Sequence, residues 1–247
     1  MYCTTTFRDD GFGGQFQNFI WAIVICETTN NIYVHTPITN VAHNYNNDPY
    51  FINNIEELMN IKNNYICIND LSNEEQLGLN KYDAGYLRKT FDSNVDYYLQ
   101  SSSFINLKTN FWKNKEKNFF KNNKINVAIH IRRKNIHDSR IEGTDTPDIY
   151  YIYIINIIRN KYNNNNKCLL FHIYSQGNEE CFNNYKNDDT ILHINEDICN
   201  TFMGLVAADV LVTSGSSFSY TAALLSYGEI YYKQFWHYPS KEWINCG

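Results

Sequence analysis

At 247 residues the chain is long enough for one large α/β domain or two small ones, and with 43% hydrophobic and 16% aromatic residues it can bury a core, which excludes a disordered polymer. A formal net charge of -5 excludes a protein that wraps nucleic acid through a broad basic field, so any anion site has to be local. Seven cysteines, odd in number and without a C-x-x-C pair, argue against a zinc ribbon and a disulfide framework and for a reducing compartment.

Tyr2 to Phe7 reads as a first strand, which passes through Asp9-Asp10-Gly11-Phe12-Gly13-Gly14-Gln15 into an apolar helix from about Phe16 to Thr28. Ile32 to His35 suits a second strand, and the asparagine-rich stretch Thr36 to Asn54, broken by Pro37 and Pro49, suits a long loop. Ile55 to Ile61 reads as helix, Tyr65 to Ile68 as strand, and Asn94 to Phe120 as one or two helices. The polar, charged stretch Asn114 to Asn126 places a boundary between two halves, 1–121 and 122–247. The second half alternates: strand Ile125 to Ile131, helix Asp148 to Lys161, strand Cys168 to Tyr174, short helix Glu179 to Tyr185, strand Thr190 to His193, helix Asp197 to Ala208, strand Val210 to Thr213, helix Phe218 to Tyr227, strand Glu229 to Tyr232. Strands spaced in this way imply right-handed crossovers and a parallel sheet. The longest apolar run, Phe19 to Cys26, falls short of the roughly 20 residues that span a bilayer, and no basic-then-apolar leader is present. The expectation is a soluble, cytoplasmic protein with no transmembrane segment.

Chemistry concentrates at two strand ends. In Ile125 to Asn135 a β-branched apolar run stops at His130, Arg132 and Arg133, as a buried parallel strand does when it delivers polar side chains to its C-terminal edge, where open α/β sheets bind ligands. Alternation puts Ala128, His130 and Arg132 on one face and Ile129, Ile131 and Arg133 on the other. A guanidinium there suits a phosphate or carboxylate, and also suits an ordinary pairing with surface carboxylates. The second stretch, Val210 to Ser219, runs from strand through small residues into a helix, whose N-H groups with Ser216, Ser217 and Ser219 form an anion site; a plain serine N-cap is the competing reading. Gly11, Gly13 and Gly14 do not complete a dinucleotide fingerprint, because Phe16 stands where the third glycine belongs and no acidic residue ends the second strand. Gly215-Ser216-Ser217-Phe218-Ser219 is one glycine short of a nucleophile elbow, with Glu229 and His237 following in order, so a serine hydrolase with Ser217 as nucleophile is the rival from another class. There is no Asp-x-Asp pair to hold a metal against a diphosphate.

Together these stretches resemble the GT-B fucosyltransferase superfamily, which includes alpha-1,2- and alpha-1,6-fucosyltransferases and protein O-fucosyltransferases. The resemblance lies in Gly11-Phe12-Gly13-Gly14-Gln15-Phe16, in His130-Ile131-Arg132-Arg133 as the H-x-R-R signature, in Asp148 to Tyr151 and Phe171 to Ser175, and in Ala207 to Tyr220, in family order. It leaves Thr36 to Asn123 unmatched. It implies an α/β, GT-B-like fold of two Rossmann-like halves with parallel sheets facing a cleft, an N-terminal acceptor-side half and a C-terminal half that binds the nucleotide sugar. It further implies an inverting, metal-independent fucosyl transfer from GDP-fucose to a glycan or glycoconjugate acceptor, with no cofactor and no nucleic-acid partner. By matched position, Arg132 binds the diphosphate and stabilises it as it leaves, Arg133 supports it, His130 holds geometry, and Ser216, Ser217, Phe218 and Ser219 supply donors to the same phosphates.

The sequence departs from the family pattern at Asn135, where many members are acidic, and at Ser175-Gln176-Gly177, where many have Asp after the serine, so another GDP- or UDP-deoxysugar donor stays open. The general base is expected among Glu142, Asp138 and Asp10. A carboxylate for guanine is expected at Asp197 or Glu196.

Overall fold

The computed structural model describes residues 1–6, 8–44, 47–133, 146–163 and 168–246. It divides into two compact units, Met1–Glu116 and Lys117–Gly247. Both are built on a parallel sheet.

In the first unit, strands β1 (Tyr2–Thr5), β2 (Ile32–His35), β3 (Ile66–Cys67) and β4 (Asn80–Tyr82) lie in the order β3-β2-β1-β4. Helix α1 (Phe12–Thr28) is buried from Phe12 through Cys26, as a helix apolar on all sides must be. Around it pack β1, β2, α4 (Ala84–Ser93), α5 (Val95–Leu99) and α6 (Ser102–Trp112). The remaining helices are α2 (Phe51–Met59) and α3 (Asn73–Leu77).

The sequence places the start of α1 at Phe16, and the structure starts it at Phe12, so the glycines form a helix start and not a loop. Close approach explains them: a Cβ on Gly14 would lie 2.4 Å from Asp10 Oδ2, and one on Gly11 would lie 2.6 Å from His43 Cδ2. The sequence reading also passes over Asn73 to Ser93. There, Ser72 and Glu75 make a reciprocal capping box at α3, Asp83 caps α4, and β4 pairs with β1 without any apolar alternation of its own.

The second unit follows the predicted alternation closely. Strands β5 (Ile125–His130), β6 (Leu169–Ser175), β7 (Thr190–Ile194), β8 (Val210–Val212), β9 (Glu229–Tyr232) and β10 (Ile244–Asn245) form one parallel sheet in the order β10-β9-β8-β5-β6-β7. The segment Glu179–Tyr185 is 3-10 in form, and the two-residue β10 was not anticipated. Val127, Ile129, Ile131, Phe171, Ile173, Val210 and Val212 bury one sheet face against Tyr151, Ile154, Ile155 and Ile158 of α7 (Asp148–Asn163). Ala128, His130, His172 and Tyr174 turn to the other face, where α8 (Ile198–Ala207) and α9 (Ser217–Leu225) pack. The chain switches direction across the sheet at β5, so the ends of β5 and β8 are neighbours at the C-terminal edge.

Candidate functional site

At that edge the two stretches singled out in the sequence meet. Ser214 Oγ lies 2.8 Å from His130 Nδ1, and both side chains are buried. The Ser214 N-H donates to Ser219 Oγ at 3.2 Å, and the Ser219 hydroxyl reaches the carbonyls of Ser214 and Ser216 at 3.4 and 3.3 Å. The Phe218 ring packs 5.4 Å from the His130 imidazole. Ser216 caps α9 by accepting the Phe218 N-H at 3.3 Å, and Ser217 is the first residue of the helix. The positive end of the α9 dipole therefore faces the strand edge.

Burial, and then the charge of Arg132 beside it, lowers the His130 pKa to about 3, so the ring is neutral in ordinary buffers. It is a fixed hydrogen-bonding group and not a proton carrier. Arg132, half-buried, follows two residues after the strand ends. Arg133 faces the opposite way: its guanidinium donates to the Thr146 carbonyl at 2.9 Å and to Asp148 Oδ1, and it stands 5.8 Å from the Phe182 ring centre. Tyr185 donates to the same Asp148 oxygen at 2.6 Å. Arg133 thus fastens the start of α7 to the sheet.

The other predicted side chains are dispersed. Asp197 caps α8, its Oδ1 accepting the N-H groups of Cys199 and Asn200 at 2.9 and 3.0 Å. In the first unit Asp10 accepts the Gly11 N-H at 2.7 Å and pairs with Arg8 at 2.7 Å, beside Gly13 and Gly14 in the first turn of α1. Asp138 and Glu142 lie outside the described residues. Glu229 opens β9 and pairs with Lys161 at 2.5 Å. That places it at the N-terminal edge of the sheet, about 10 Å of strand from the edge that holds Ser217, which removes it from the acid position of a hydrolase triad.

The sequence reading missed a small pocket in the first unit, lined among others by Thr5, Thr6, Arg8, Asn18 and Thr36. Asn18 is buried there with no hydrogen-bond partner for its Oδ1. Nothing in a one-dimensional reading marks an asparagine inside an apolar helix as pocket-lining.

Among the described residues, no group of three or more His, Cys, Asp and Glu side chains is placed to hold a metal ion, and no helix is long and apolar enough to cross a membrane. No disulfide joins the seven cysteines.

Fold and site define a two-unit α/β protein with a preorganised cluster of polar groups at the C-terminal edge of its second parallel sheet. No protein family model matches the chain, and no curated protein does. Among solved structures it is similar to the fucosyltransferase NodZ from Bradyrhizobium, at 12% identity and a TM-score of 0.48 over 91% of this chain and 92% of that one. It is also similar to NodZ alpha-1,6-fucosyltransferase soaked with GDP-fucose, at 10% identity and a TM-score of 0.45 over 91% and 92%. A variant of Arabidopsis thaliana FUT1 in complex with GDP matches at 11% identity and a TM-score of 0.44, over 98% of this chain and 71% of that one.

Proposed function

We propose that the protein is an inverting, metal-independent glycosyltransferase that moves fucose from GDP-fucose to a glycan hydroxyl. The observation that carries the reading is the 2.8 Å contact of Ser214 with His130, which joins the H-x-R-R strand end to the serine turn next to Arg132. Such a reaction builds negative charge on the departing diphosphate, so donors fixed before the reaction lower the barrier. Arg132 and the N-terminus of α9 supply them. Arg133 acts indirectly, by holding the start of α7. Neutral His130 keeps the strand end and the serine turn in register. The acceptor's proton goes to a carboxylate, with Asp138, Glu142 and Asp10 as the residues to test. The reading takes the transfer to need no cofactor, and seven cysteines free of disulfides suit a reducing compartment such as the cytosol.

The test is calorimetric and thermal-shift titration of the chain with GDP, UDP, GDP-fucose, GDP-mannose and UDP-sugars, in the wild type and in Arg132→Ala. Binding of GDP compounds that the substitution abolishes is the expected result. A preference for UDP changes the donor and keeps the reaction class. Absence of nucleotide binding by folded protein overturns the proposal.

A further inference from the structure

Strands β6 and β7 carry two further histidines, His172 and His193, on the same sheet face as His130, that the transfer reaction does not use. His172 Nδ1 and His193 Nε2 are 2.9 Å apart, and His193 Nδ1 lies 2.7 Å from Glu196 Oε1. On the inner side, His172 Nε2 lies 3.1 Å from Asn126 Oδ1 of β5. One chain of contacts thus runs from the buried sheet interior to a carboxylate that is 40% exposed.

The donor and acceptor roles along this chain can be assigned from its inner end. Asn126 Nδ2 donates to the Lys124 main-chain carbonyl at 3.1 Å, and a carbonyl can only accept, so Oδ1 is the atom that faces His172. His172 must then donate from Nε2. Burial, followed by the charges of His193 and Lys124, lowers its pKa to about 4, so it carries no second proton at neutral pH and its Nδ1 accepts. The partner, His193, must therefore donate from Nε2. The contact with Glu196 takes another proton, on Nδ1. All the contacts are made only when His193 is an imidazolium.

We propose that Asn126, His172, His193 and Glu196 form a proton-operated latch, in which doubly protonated His193 ties the turn Asn195–Asp197 to the sheet and loss of its proton releases Glu196. In the step one N–H bond of the ring breaks, its electron pair stays on the nitrogen, the proton passes to water, and no other covalent bond changes. If Nδ1 gives it up, a lone pair faces the carboxylate. If Nε2 does, two lone pairs face each other at His172. The first opening is the one the geometry favours, because His172 is fixed from behind by Asn126 and covered by the Phe120 ring at 4.3 Å.

Among the described residues, the sheet sets an aromatic ring against His193. Tyr174 of β6 stacks on it at 4.4 Å, and burial and then Glu196 keep the Tyr174 hydroxyl protonated. Tyr174 in turn meets α8 at Gly204, which has no side chain. Lys124 acts on His172, and Asp209 accepts the Asn126 N-H at 2.8 Å from the far side of β5. Glu179 and Glu180 belong to the segment whose Phe182 and Tyr185 pack on the opposite sheet face. β7 is the edge strand, so water reaches His193. What the latch holds is the turn into α8, where Asn195 grips Gly177 through two 2.8 Å bonds and Asp197 caps the helix. The inference does not depend on the transferase reading.

The test is long-range 1H-15N correlation of the imidazole rings of the full 15N-labelled chain between about pH 5 and 8, where histidines change charge, with the backbone amides followed alongside. His172 should stay neutral with its proton on Nε2 throughout. His193 should change from two protonated nitrogens to one, and the amides of Asn195, Glu196 and Cys199 should shift with the same midpoint. In Glu196→Ala, a substitution at a side chain exposed enough to leave the fold intact, the acceptor for Nδ1 is gone and the coupled amide shifts should be lost. A His172 proton found on Nδ1, amides that stay still in the wild type, or amides that move equally in Glu196→Ala each overturn the latch.

Discussion

Ser214 and His130 hold each other across the ends of two adjacent strands, 2.8 Å from Oγ to Nδ1, and both side chains are buried. Ser214→Ala removes the partner of a buried ring nitrogen, which costs about 1–3 kcal/mol. At this chain length each kcal/mol lowers Tm by roughly 2–4 °C. Urea unfolding should show a lower midpoint at constant m-value, and GDP affinity should fall because the ring no longer fixes the serine turn. An unchanged midpoint would mean the contact contributes nothing.

Acid should unfold the protein through its buried histidines. His130, held to about 3 by burial and then Arg132, and His172, held to about 4 by burial and then His193 and Lys124, both titrate near 6.5 once unfolded. Both folded values lie below the unfolded one, so the unfolded chain takes up the protons first. The stability they contribute is complete above about pH 6.5 and is lost as pH falls toward 4 and then 3. Between those limits each histidine adds a slope approaching about 1.4 kcal/mol per pH unit. Unfolding free energies of wild type and His172→Gln, compared at about pH 5 and 6, should differ in slope by that amount. Parallel slopes would contradict it.

The two adjacent arginines should fail differently. Arg133→Ala takes the charged donor away from Asp148 and leaves it only Tyr185, at a cost of about 1.5–3 kcal/mol for a hydrogen-bonded charge, so its lowered donor affinity should come with a lowered Tm. Arg132→Ala should cut GDP affinity by more than any accompanying change in Tm explains. Measuring both quantities on both variants decides the matter, and an Arg133→Ala protein as stable as wild type would return that side chain to the ligand.

Much of this was legible in the sequence because the second unit alternates β-branched strands with amphipathic helices, and in a parallel sheet that pattern leaves few topologies. The juxtaposition of His130 with the serine turn followed from it, since β8 joins the sheet directly beside β5. What the sequence hid was set by contacts distant along the chain. β4 is a strand because β1 offers it an edge, and Asn126 matters because His172, 46 residues away, points at it. The pairing of Arg133, read in the sequence as supporting Arg132, with Asp148 was hidden for the same reason, since the two stand 15 residues apart.

Glycine substitutions offer a graded check of close packing. A methyl on Gly228 would lie 2.3 Å from the main-chain carbonyl of Ala208, whereas on Gly14 it would meet the Asp10 carboxylate and on Gly204 the hydroxyl and ring edge of buried Tyr174, both side chains. Backbone yields less than side chains do. Gly228→Ala should therefore cost the most, at or above the usual 1–3 kcal/mol of overpacking, with Gly14→Ala and Gly204→Ala below it. Chemical denaturation of the three variants ranks them, and the reverse order would show that the strand β9 can shift.

The all-round burial of α1 bears on how the protein is made. Its walls include α6, which is complete only roughly 80 residues after α1 leaves the ribosome, a delay of about 4–17 s at ordinary rates of synthesis. Until then a nearly continuous apolar helix is only partly sheltered, by β1 and β2 and later by α4 and α5, so nascent chains halted before Trp112 should be clients of holding chaperones and those halted well after it should not.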